Sequence, residues 1–383
     1  MQKSMNDVKM YTVDLTLTDA CNFRCKYCFE KDYFNPKRFE KVDLFIQRMN
    51  EFMNSEFFKS KYDILNIGFW GGEPTLASDI IKKVVEYYKN DNRVKFFIFS
   101  NGYAISKVSD LLYELKDQFV EGGHPKLCIQ ISYDGMPIHD IYRVRTDGIL
   151  TSTQVRTTIK WAEDNKIPYV IKSTITPDSL KYLYAAYKDI KELQSRYPGT
   201  HFKSQNYFPT VDYYHLDKYT DEQIDQYCRE LEQQLVDIAT EEVEYYQNTK
   251  QFFFAWFVGN KSLCCAGRDM TCVAVDGKIF KCHGSVYDDS QLDHLVTNLD
   301  DENFIQHLDS SYKLHDCNFG FQPKECMECD TTYCLRCNPA KYELSDKKTY
   351  IDKWRDYPVQ NKLCKIFKTN GKIVKALRQI INS

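Results

Sequence analysis

Fifteen cysteines, bunched at 21–28, 264–282 and 317–337, constrain this 383-residue chain more than any other feature. The N-terminal stretch MQKSMNDVKMYTVDL lacks the apolar h-region of a secretory signal, so a cytoplasmic location is expected. A reducing compartment argues against a disulfide framework of this size, and the odd count agrees. Metal or cluster ligation is the use that remains. Apolar residues at 43% and charged residues at 27% form an ordinary globular balance, which excludes whole-chain disorder, collagen and coiled coil. No apolar run approaches the roughly 20 residues that span a bilayer, so no transmembrane segment is expected. The net charge of −3 gives no general pull toward nucleic acid.

The first half alternates short β-branched or aromatic segments with helical patterns. Strands are expected at Tyr11–Leu17, Ile64–Phe69, Lys95–Ser100, Lys126–Ser132, Tyr169–Thr174 and Phe202–Tyr207. Helices are expected at Ala77–Lys89, Ser106–Phe119, Thr151–Asn165 and Ser179–Ser195. Six such units read as parallel βα repeats, short of the eight that close a TIM barrel. The fold class is therefore α/β: a partial (β/α)6 barrel, with sites expected beyond the strand C-termini. Residues 1–220 form that barrel. Residues 221–259 form a bridging helical segment, opened by the capping box Thr220–Gln223. Residues 260–383 form a small, irregular, cysteine-rich domain with a basic tail. Residues 361–383 carry Lys362, Lys365, Lys368, Lys372, Lys375 and Arg378 and no acid, so the tail is +6 and the rest is −9 (−3 minus 6). Ile373, Val374, Leu377, Ile380 and Ile381 fall there at helical spacing. The tail reads as a helix packed on the body with a solvated basic face, or as a docking element for an acidic peptide or a membrane surface.

The first cysteine bunch is Cys21-Asn-Phe-Arg-Cys25-Lys-Tyr-Cys28, directly after the first strand. Three thiolates on one short loop suit three irons of a [4Fe–4S] cube and leave the fourth iron open. A zinc tetrahedron would need a distant fourth ligand, since the nearest following histidine is His124.

This C-x3-C-x2-C loop, with an aromatic Tyr27 before its last cysteine, resembles that of the radical S-adenosylmethionine (SAM) enzymes. Gly71-Gly72-Glu73-Pro74, at the end of the second strand, resembles the GGEP motif of that family, which meets the amino group of SAM. Glycines allow close backbone approach there, and oxygens accept from an ammonium. Ser100-Asn101-Gly102 resembles the family's turn near the ribose. Ser132-Tyr133-Asp134-Gly135, followed by His139-Asp140-x2-Arg143, resembles the stretch in which Ser132 would touch the ribose and Arg143 the carboxylate of SAM. The resemblance implies a catalytic [4Fe–4S] cluster on Cys21, Cys25 and Cys28. It implies a SAM site that includes Tyr27, Phe29, Gly71, Gly72, Glu73, Pro74, Ser100, Asn101, Ser132, Asp134 and Arg143. His139 reads as structural.

Cys265-x11-Gly277-x4-Cys282, then Cys326-x2-Cys329-x4-Cys334-x2-Cys337, resembles the SPASM domain, though the last group is tighter by one residue in two gaps. The resemblance implies two auxiliary [4Fe–4S] clusters, one on Cys265, Cys272, Cys282 and Cys337, the other on Cys326, Cys329 and Cys334 with Cys364 or Cys317. Whether Cys264 or Cys265 ligates stays open. Zinc on C-x2-C-x4-C-x2-C is the alternative for the last group. Cys128 and Cys228 read as packed core thiols.

What the resemblance implies is reductive cleavage of SAM to a 5′-deoxyadenosyl radical. That radical takes a hydrogen atom from a peptide or protein side chain, and the auxiliary clusters take up the electron, giving a crosslink or an oxidation. The formylglycine-forming branch carries Asp after the cysteine matching Cys282. Here that residue is His283, either a replacement base or a partner of the cluster. A small-molecule substrate is the alternative enzyme reading, and a multi-zinc binding protein is the non-enzymatic one. The aromatic stretch 205–214 reads as cleft lining or as barrel-end packing. The expected partners are a peptide or protein substrate and a flavodoxin- or ferredoxin-type reductant. The cysteine loop begins by residue 21, so the leader-binding domain that precedes it in many relatives is not expected, and leader binding would fall to a separate leader-peptide-binding protein or to another surface.

Overall fold

The computed structural model describes residues 7–30, 36–195, 208–212, 215–259, 265–286, 295–319, 329, 331 and 358–382. Six parallel strands form the frame: β1 (Met10–Thr16), β2 (Ile64–Trp70), β3 (Val94–Ser100), β4 (Leu127–Ser132), β5 (Tyr169–Ile175) and β6 (Phe208–Val211). They lie in the order β6-β5-β4-β3-β2-β1, as the βα alternation requires. The sixth strand expected at Phe202–Tyr207 lies outside the described residues, and Phe208–Val211 pairs with β5 from Lys172 to Ile175. Side chains alternate across a strand. In β5, Tyr169, Ile171, Ser173 and Ile175 are buried, while Val170, Lys172 and Thr174 are partly open on the other face.

The crossover helices cover the outside of the sheet. The helix α1 (Val42–Asn54) buries Val42, Phe45, Ile46, Met49, Phe52 and Met53. The later α3 (Ser78–Tyr88), after the short α2 (Glu56–Lys61), buries Ile80, Ile81, Val84, Val85 and Tyr88, the i, i+4, i+8 stripe of an amphipathic helix. The helix expected over Ser106–Phe119 shortens to a 3-10 turn, Ile105–Lys107, and α4 (Ser109–Leu115). Val108 lies outside helical geometry (φ −129°, ψ 4°), and Phe119 pairs with Pro125 instead. Next come α5 (Ile138–Tyr142), α6 (Ser152–Asp164) and α7 (Leu183–Ser195).

The sheet does not stop at β1. Strand β7 (Met270–Val273) pairs parallel to it, Thr12 with Met270 through Leu15 with Val273. Strands β8 (Lys278–Phe280) and β9 (Leu295–Asn298) follow antiparallel. Strands β7, β8 and β9 are thus hydrogen-bonded into the barrel sheet.

The capping box at Thr220 and Gln223 opens α8 (Asp221–Thr249). Ile224, Leu231, Leu235 and Ile238 form its buried face. Buried Glu242 accepts from Tyr187 Oη (2.5 Å) and from the amides of Phe253 (2.8 Å) and Phe254 (3.3 Å). This fixes the aromatic run that leads into α9 (Ala255–Val258). After α10 (Phe304–Phe319), the tail forms α11 (Pro358–Asn382). Leu363, Ile366, Phe367, Val374 and Leu377 are buried. Lys362 Nζ donates to the carbonyls of Leu216 (3.2 Å) and Tyr219 (2.6 Å), and Lys365 pairs with Asp225 on α8. The basic tail is therefore a helix packed on the body.

Phe367 is 2% exposed and meets Trp256 edge to face. Phe367→Ala should destabilise the chain by about 3 to 5 kcal/mol, the usual range for a buried phenylalanine, read as a lower denaturant midpoint.

Candidate active site

The loops after β1 and β2 are locked together through their backbones. The amide of Gly72 donates to Thr18 O and that of Glu73 to Ala20 O, both at 2.9 Å. A Cβ on Gly71 would lie 2.3 Å from Thr18 O, and one on Gly72 would lie 2.4 Å from Ala20 O. Gly71 also has φ +133°. Glycine is the residue type that fits both positions.

From this junction the chain turns into Cys21, Cys25 and Cys28, all lining one cavity of about 240 Å³ at the C-terminal ends of the strands. Tyr27, Phe29, Gly71, Gly72, Glu73, Ser100, Asn101, Ser132, Arg143 and His283 line the same cavity. Two further residues expected at the site stand just behind it. Pro74 is buried at the start of a 3-10 turn, and Asp134 is fully buried.

Two buried carboxylates hold the walls. Glu73 accepts from Thr75 N (3.1 Å), Thr75 Oγ1 (2.7 Å) and Ser100 Oγ (2.9 Å) on one oxygen, and from Asn101 N (2.7 Å) on the other. It ties the β2 loop to the β3 loop, and the backbone of Gly71 and Gly72 is left to face the cavity. Asn101 reaches back to Asn22 Oδ1 (2.8 Å) in the cysteine loop. Asp134 accepts from Tyr27 Oη and from Arg143 Nε (2.9 Å), and on its other oxygen from Thr174 N (2.9 Å). The Arg143 guanidinium lies over the Tyr27 ring and reaches Cys25 Sγ at 4.0 Å.

The thiols are hard to ionise in this setting. Burial pushes all three up, Cys28 to about 12, and Arg143 pulls Cys25 only part of the way back. Thiolates here call for a bound cation, which suits a set of iron ligands. Among the described residues no three His, Cys, Asp or Glu side chains could hold a single metal ion. A cube takes one cysteine per iron, so its ligands need not meet at a point.

The opposite wall is polar; the stretch 205–214, read as cleft lining or barrel-end packing, does place Thr210, Val211 and Asp212 on it, and sequence reasoning missed the rest. Gln130, Lys172, Thr174, Thr210 and Asp212 line the cavity, with Glu30 and Trp70. The period-2 exposure of Val170, Lys172 and Thr174 was the available signal. Burial lowers the Lys172 pKa, against a smaller opposing pull from Asp14. Burial raises Glu30 to about 7, although Trp70 Nε1 donates to it at 3.0 Å. His283 stacks on Trp70, with ring centroids 4.1 Å apart, and its Nδ1 lies 3.2 Å from Asp14 Oδ2.

Of the C-terminal cysteines, Cys272 is buried on β7 with its Sγ 3.5 Å from Thr16 Oγ1. Cys265 and Cys282 are half-buried at the two ends of the β7–β8 segment, and Cys329 lies near Thr331 (3.2 Å). Cys364 is half-buried on α11. Cys264, Cys326, Cys334 and Cys337 lie outside the described residues, as does the side chain of Cys317. Cys128 is buried and Cys228 half-buried.

His139 is buried, accepts from Asp134 N at 3.3 Å and lies 3.0 Å from Thr151 Oγ1. It holds the turn that carries Asp134.

Residues 15–190 match the Radical SAM superfamily. A cysteine-type anaerobic sulfatase-maturating enzyme of Clostridium novyi is 25% identical over 179 residues, 46% of each chain. The match thus spans about half the length of that relative. The radical SAM cyclopropyl synthase TigE of Paramaledivibacter caminithermalis is 23% identical over 364 residues, 86% of this chain and 69% of TigE. In fold, the chain is similar to anSMEcpe with bound AdoMet (TM-score 0.66, 20% identity, covering 97% of this chain and 99% of that one). It is also similar to Streptococcus suis SuiB bound to its precursor peptide SuiA (TM-score 0.56, 13% identity, 84% and 70%).

Two predictions follow from this geometry. Gly72→Ala should break the junction between the loops and lower the iron bound after anaerobic reconstitution, measured by iron and sulfide assay. Burial holds the His139 pKa at about 4, below its ordinary 6.5. The unfolded chain therefore binds more protons than the native one between about pH 6.5 and 4, and stability falls as pH drops through that window. His139→Asn should show a shallower fall than the wild type in parallel denaturation series.

Proposed function

From the premise that residues 15–190 are a radical SAM domain, which makes the chain an enzyme of that superfamily, we propose that it modifies a peptide or protein side chain by hydrogen-atom abstraction. The observation that carries the reading is the convergence of Cys21, Cys25 and Cys28 on one cavity with the Gly71-Gly72-Glu73 loop, Ser100-Asn101, Ser132 and Arg143. The cluster and SAM supply, when bound, the one-electron cleavage that generates a 5′-deoxyadenosyl radical.

The chain's own residues supply placement. Cys21, Cys25 and Cys28 would be the ligands of the catalytic cluster. The backbone of Gly71 and Gly72, held in place by Glu73 and Pro74, would take the amino group of SAM. Ser132 and the Ser100–Asn101 turn would take the ribose. Arg143, braced by Asp134 and Tyr27, would take the carboxylate, with Phe29 on the same cavity wall. Lys172, Gln130 and Asp212 on the far wall face the substrate. By the resemblance, Cys265, Cys272, Cys282 and Cys337 would hold one auxiliary cluster, and Cys326, Cys329 and Cys334, with Cys364 or Cys317, would hold the second.

A peptide substrate is supported by two fold neighbours that hold peptides, anSMEcpe with the Cp18Cys peptide and SuiB with SuiA. Cytoplasmic work beside a flavodoxin- or ferredoxin-type reductant is part of the same proposal; among the described residues no helix is long and apolar enough to cross a membrane. His283, stacked on Trp70 and bonded to Asp14 at the cavity wall, is a positioning residue on the substrate side.

Cys28→Ala should abolish 5′-deoxyadenosine formation under dithionite, while Cys228→Ala keeps it. Cleavage by Cys28→Ala at the wild-type rate would remove the cluster assignment. About twelve irons per reconstituted chain are expected for three cubes.

A further inference from the structure

Among the described residues, a lysine and an arginine line the cavity, Lys172 and Arg143. Arg143 is already neutralised, because its Nε donates to Asp134 at 2.9 Å. Lys172 differs. It is half-buried on β5, and among the described residues its Nζ has no hydrogen bond and no ion pair. The acids that share the wall are held elsewhere. Asp212 Oδ2 lies 2.8 Å from His215 Nδ1, Glu30 accepts from the Trp70 indole, and Glu73 accepts from Thr75, Ser100 and Asn101. Asp14 attracts Lys172 without an ion pair between them, and its Oδ2 faces His283 Nδ1 at 3.2 Å. Burial lowers the lysine pKa, Asp14 opposes that, and Arg143 adds to the lowering. An enclosed ammonium without an acceptor is costly unless a ligand brings one.

The sheet register gives the place of that acceptor. Lys172 is the register partner of Ser132 on β4, and Gln130 precedes Ser132 by two residues on the same face. Gln130 lines the cavity too, and among the described residues its amide has no hydrogen-bond partner. Thr174 and Thr210, paired in register on β5 and β6, bring hydroxyls to the same wall. An ammonium, an amide and two hydroxyls from three adjacent strands form a donor set that suits a carboxylate. SAM carries one carboxylate, and Arg143 is the cation proposed to take it. Lys172 calls for a second. Because Ser132 is proposed to take the ribose, that second carboxylate would bind beside the ribose site.

We propose that Lys172, assisted by Gln130, binds a carboxylate of the substrate, so that the peptide this enzyme modifies carries an acidic group at or beside the modified residue. The inference rests on the peptide-modifying reading and narrows its substrate class. The carboxylate belongs to an Asp or Glu side chain or to the peptide C-terminus, and the two sources are separable by amidation. Lys172 is then a specificity determinant: a peptide with the amide in place of the acid leaves the ammonium without its partner.

The test is a selection of random heptapeptides on the reconstituted, SAM-loaded enzyme, with the library presented both C-terminally amidated and with free C-termini. Wild type should enrich Asp or Glu from the amidated library, which assigns the carboxylate to a side chain. Enrichment confined to free C-termini assigns it to the terminus. The tightest peptide is then measured by calorimetry against wild type, Lys172→Met, Lys172→Arg and a control, Lys160→Met, at an exposed residue of α6. Lys172→Met should weaken binding about 10-fold or more. Replacing the peptide's acid by its amide should cost wild type a similar factor and cost Lys172→Met little further, the coupling expected of a direct pair. Lys172→Arg should keep the preference for the acid, and Lys160→Met should match wild type. Enrichment of peptides without an acidic group overturns the inference, as do additive losses in that cycle. So does a loss of SAM affinity in Lys172→Met as large as the loss for the peptide, which would assign the lysine to SAM. Enrichment of no peptide by wild type would instead overturn the peptide-modifying reading, and the inference with it.

Discussion

The site depends on one close approach of backbone to backbone. The chain leaving β1 at Thr18–Ala20 and the chain leaving β2 at Gly71–Glu73 share two hydrogen bonds, and no side chain separates them. Everything that lines the near wall is placed from that junction. The cysteine loop begins one residue beyond Ala20, and Glu73 carries the constraint onward to β3 through Ser100 and Asn101. A methyl group at Gly71 or Gly72 would meet carbonyl oxygen of the neighbouring backbone, which cannot rotate away as a side chain can. The cost of error here is therefore displacement of the loop that bears three of the fifteen cysteines.

Buried charge is used in two different ways around the cavity. Glu73 and Asp134 are surrounded by donors, so their charge serves as a fixed joint between loops. Asp14 differs. It is 1% exposed, its Oδ1 has no hydrogen-bond partner among the described residues, and its register neighbour on β2 is Gly68, where a Cβ would lie 2.2 Å from that oxygen. The strand gives up a side chain at Gly68 to admit a carboxylate that protein donors satisfy only in part. With Lys172 on β5 and His283 beside Asp14, the far wall holds polar groups around an Asp14 oxygen that the described residues leave without a donor. Such groups suit a surface that meets a ligand rather than one that seals a core.

The near wall was legible in the sequence because its chemistry is local. Three cysteines in eight residues and a Gly-Gly-Glu-Pro run keep their meaning without knowledge of the sheet, and β1 to β5 followed from period-2 and helical patterning to within a residue or two. The far wall was not legible, for a physical reason. Gln130, Lys172 and Thr210 sit singly on β4, β5 and β6, with Asp212 just past the end of β6, and only the pairing of those strands brings them to one cavity. Trp70 and Glu30 read as an ordinary strand end and an ordinary acid until His283 stacks on the one and the other accepts from the indole. Likewise, the fading of helical periodicity after residue 260 signalled a change of region. It held no sign that β7 would extend the barrel sheet, because a four-residue strand is too short for its pattern to specify a partner.

That extension explains how a residue 262 positions from Cys21 can line the same cavity. Strand β1 pairs with β2 on one side and β7 on the other, in registers that place Asp14 opposite both Gly68 and Cys272. Asp14 then reaches His283, Thr16 reaches the Cys272 sulfur, and Thr18 receives the glycine loop. Two same-face positions of β1 and the backbone just past its end thus set the C-terminal segment, its cysteine and the near wall against a single reference. Because side chains alternate, a slip of β7 by one residue would turn Cys272 to the opposite face and carry His283 off Trp70. The pairing is short, yet register is strongly specified wherever one face is buried, and Thr271, Cys272 and Val273 are all at most 1% exposed. The position of the C-terminal segment at the cavity is therefore a property of its pairing with the β1 core.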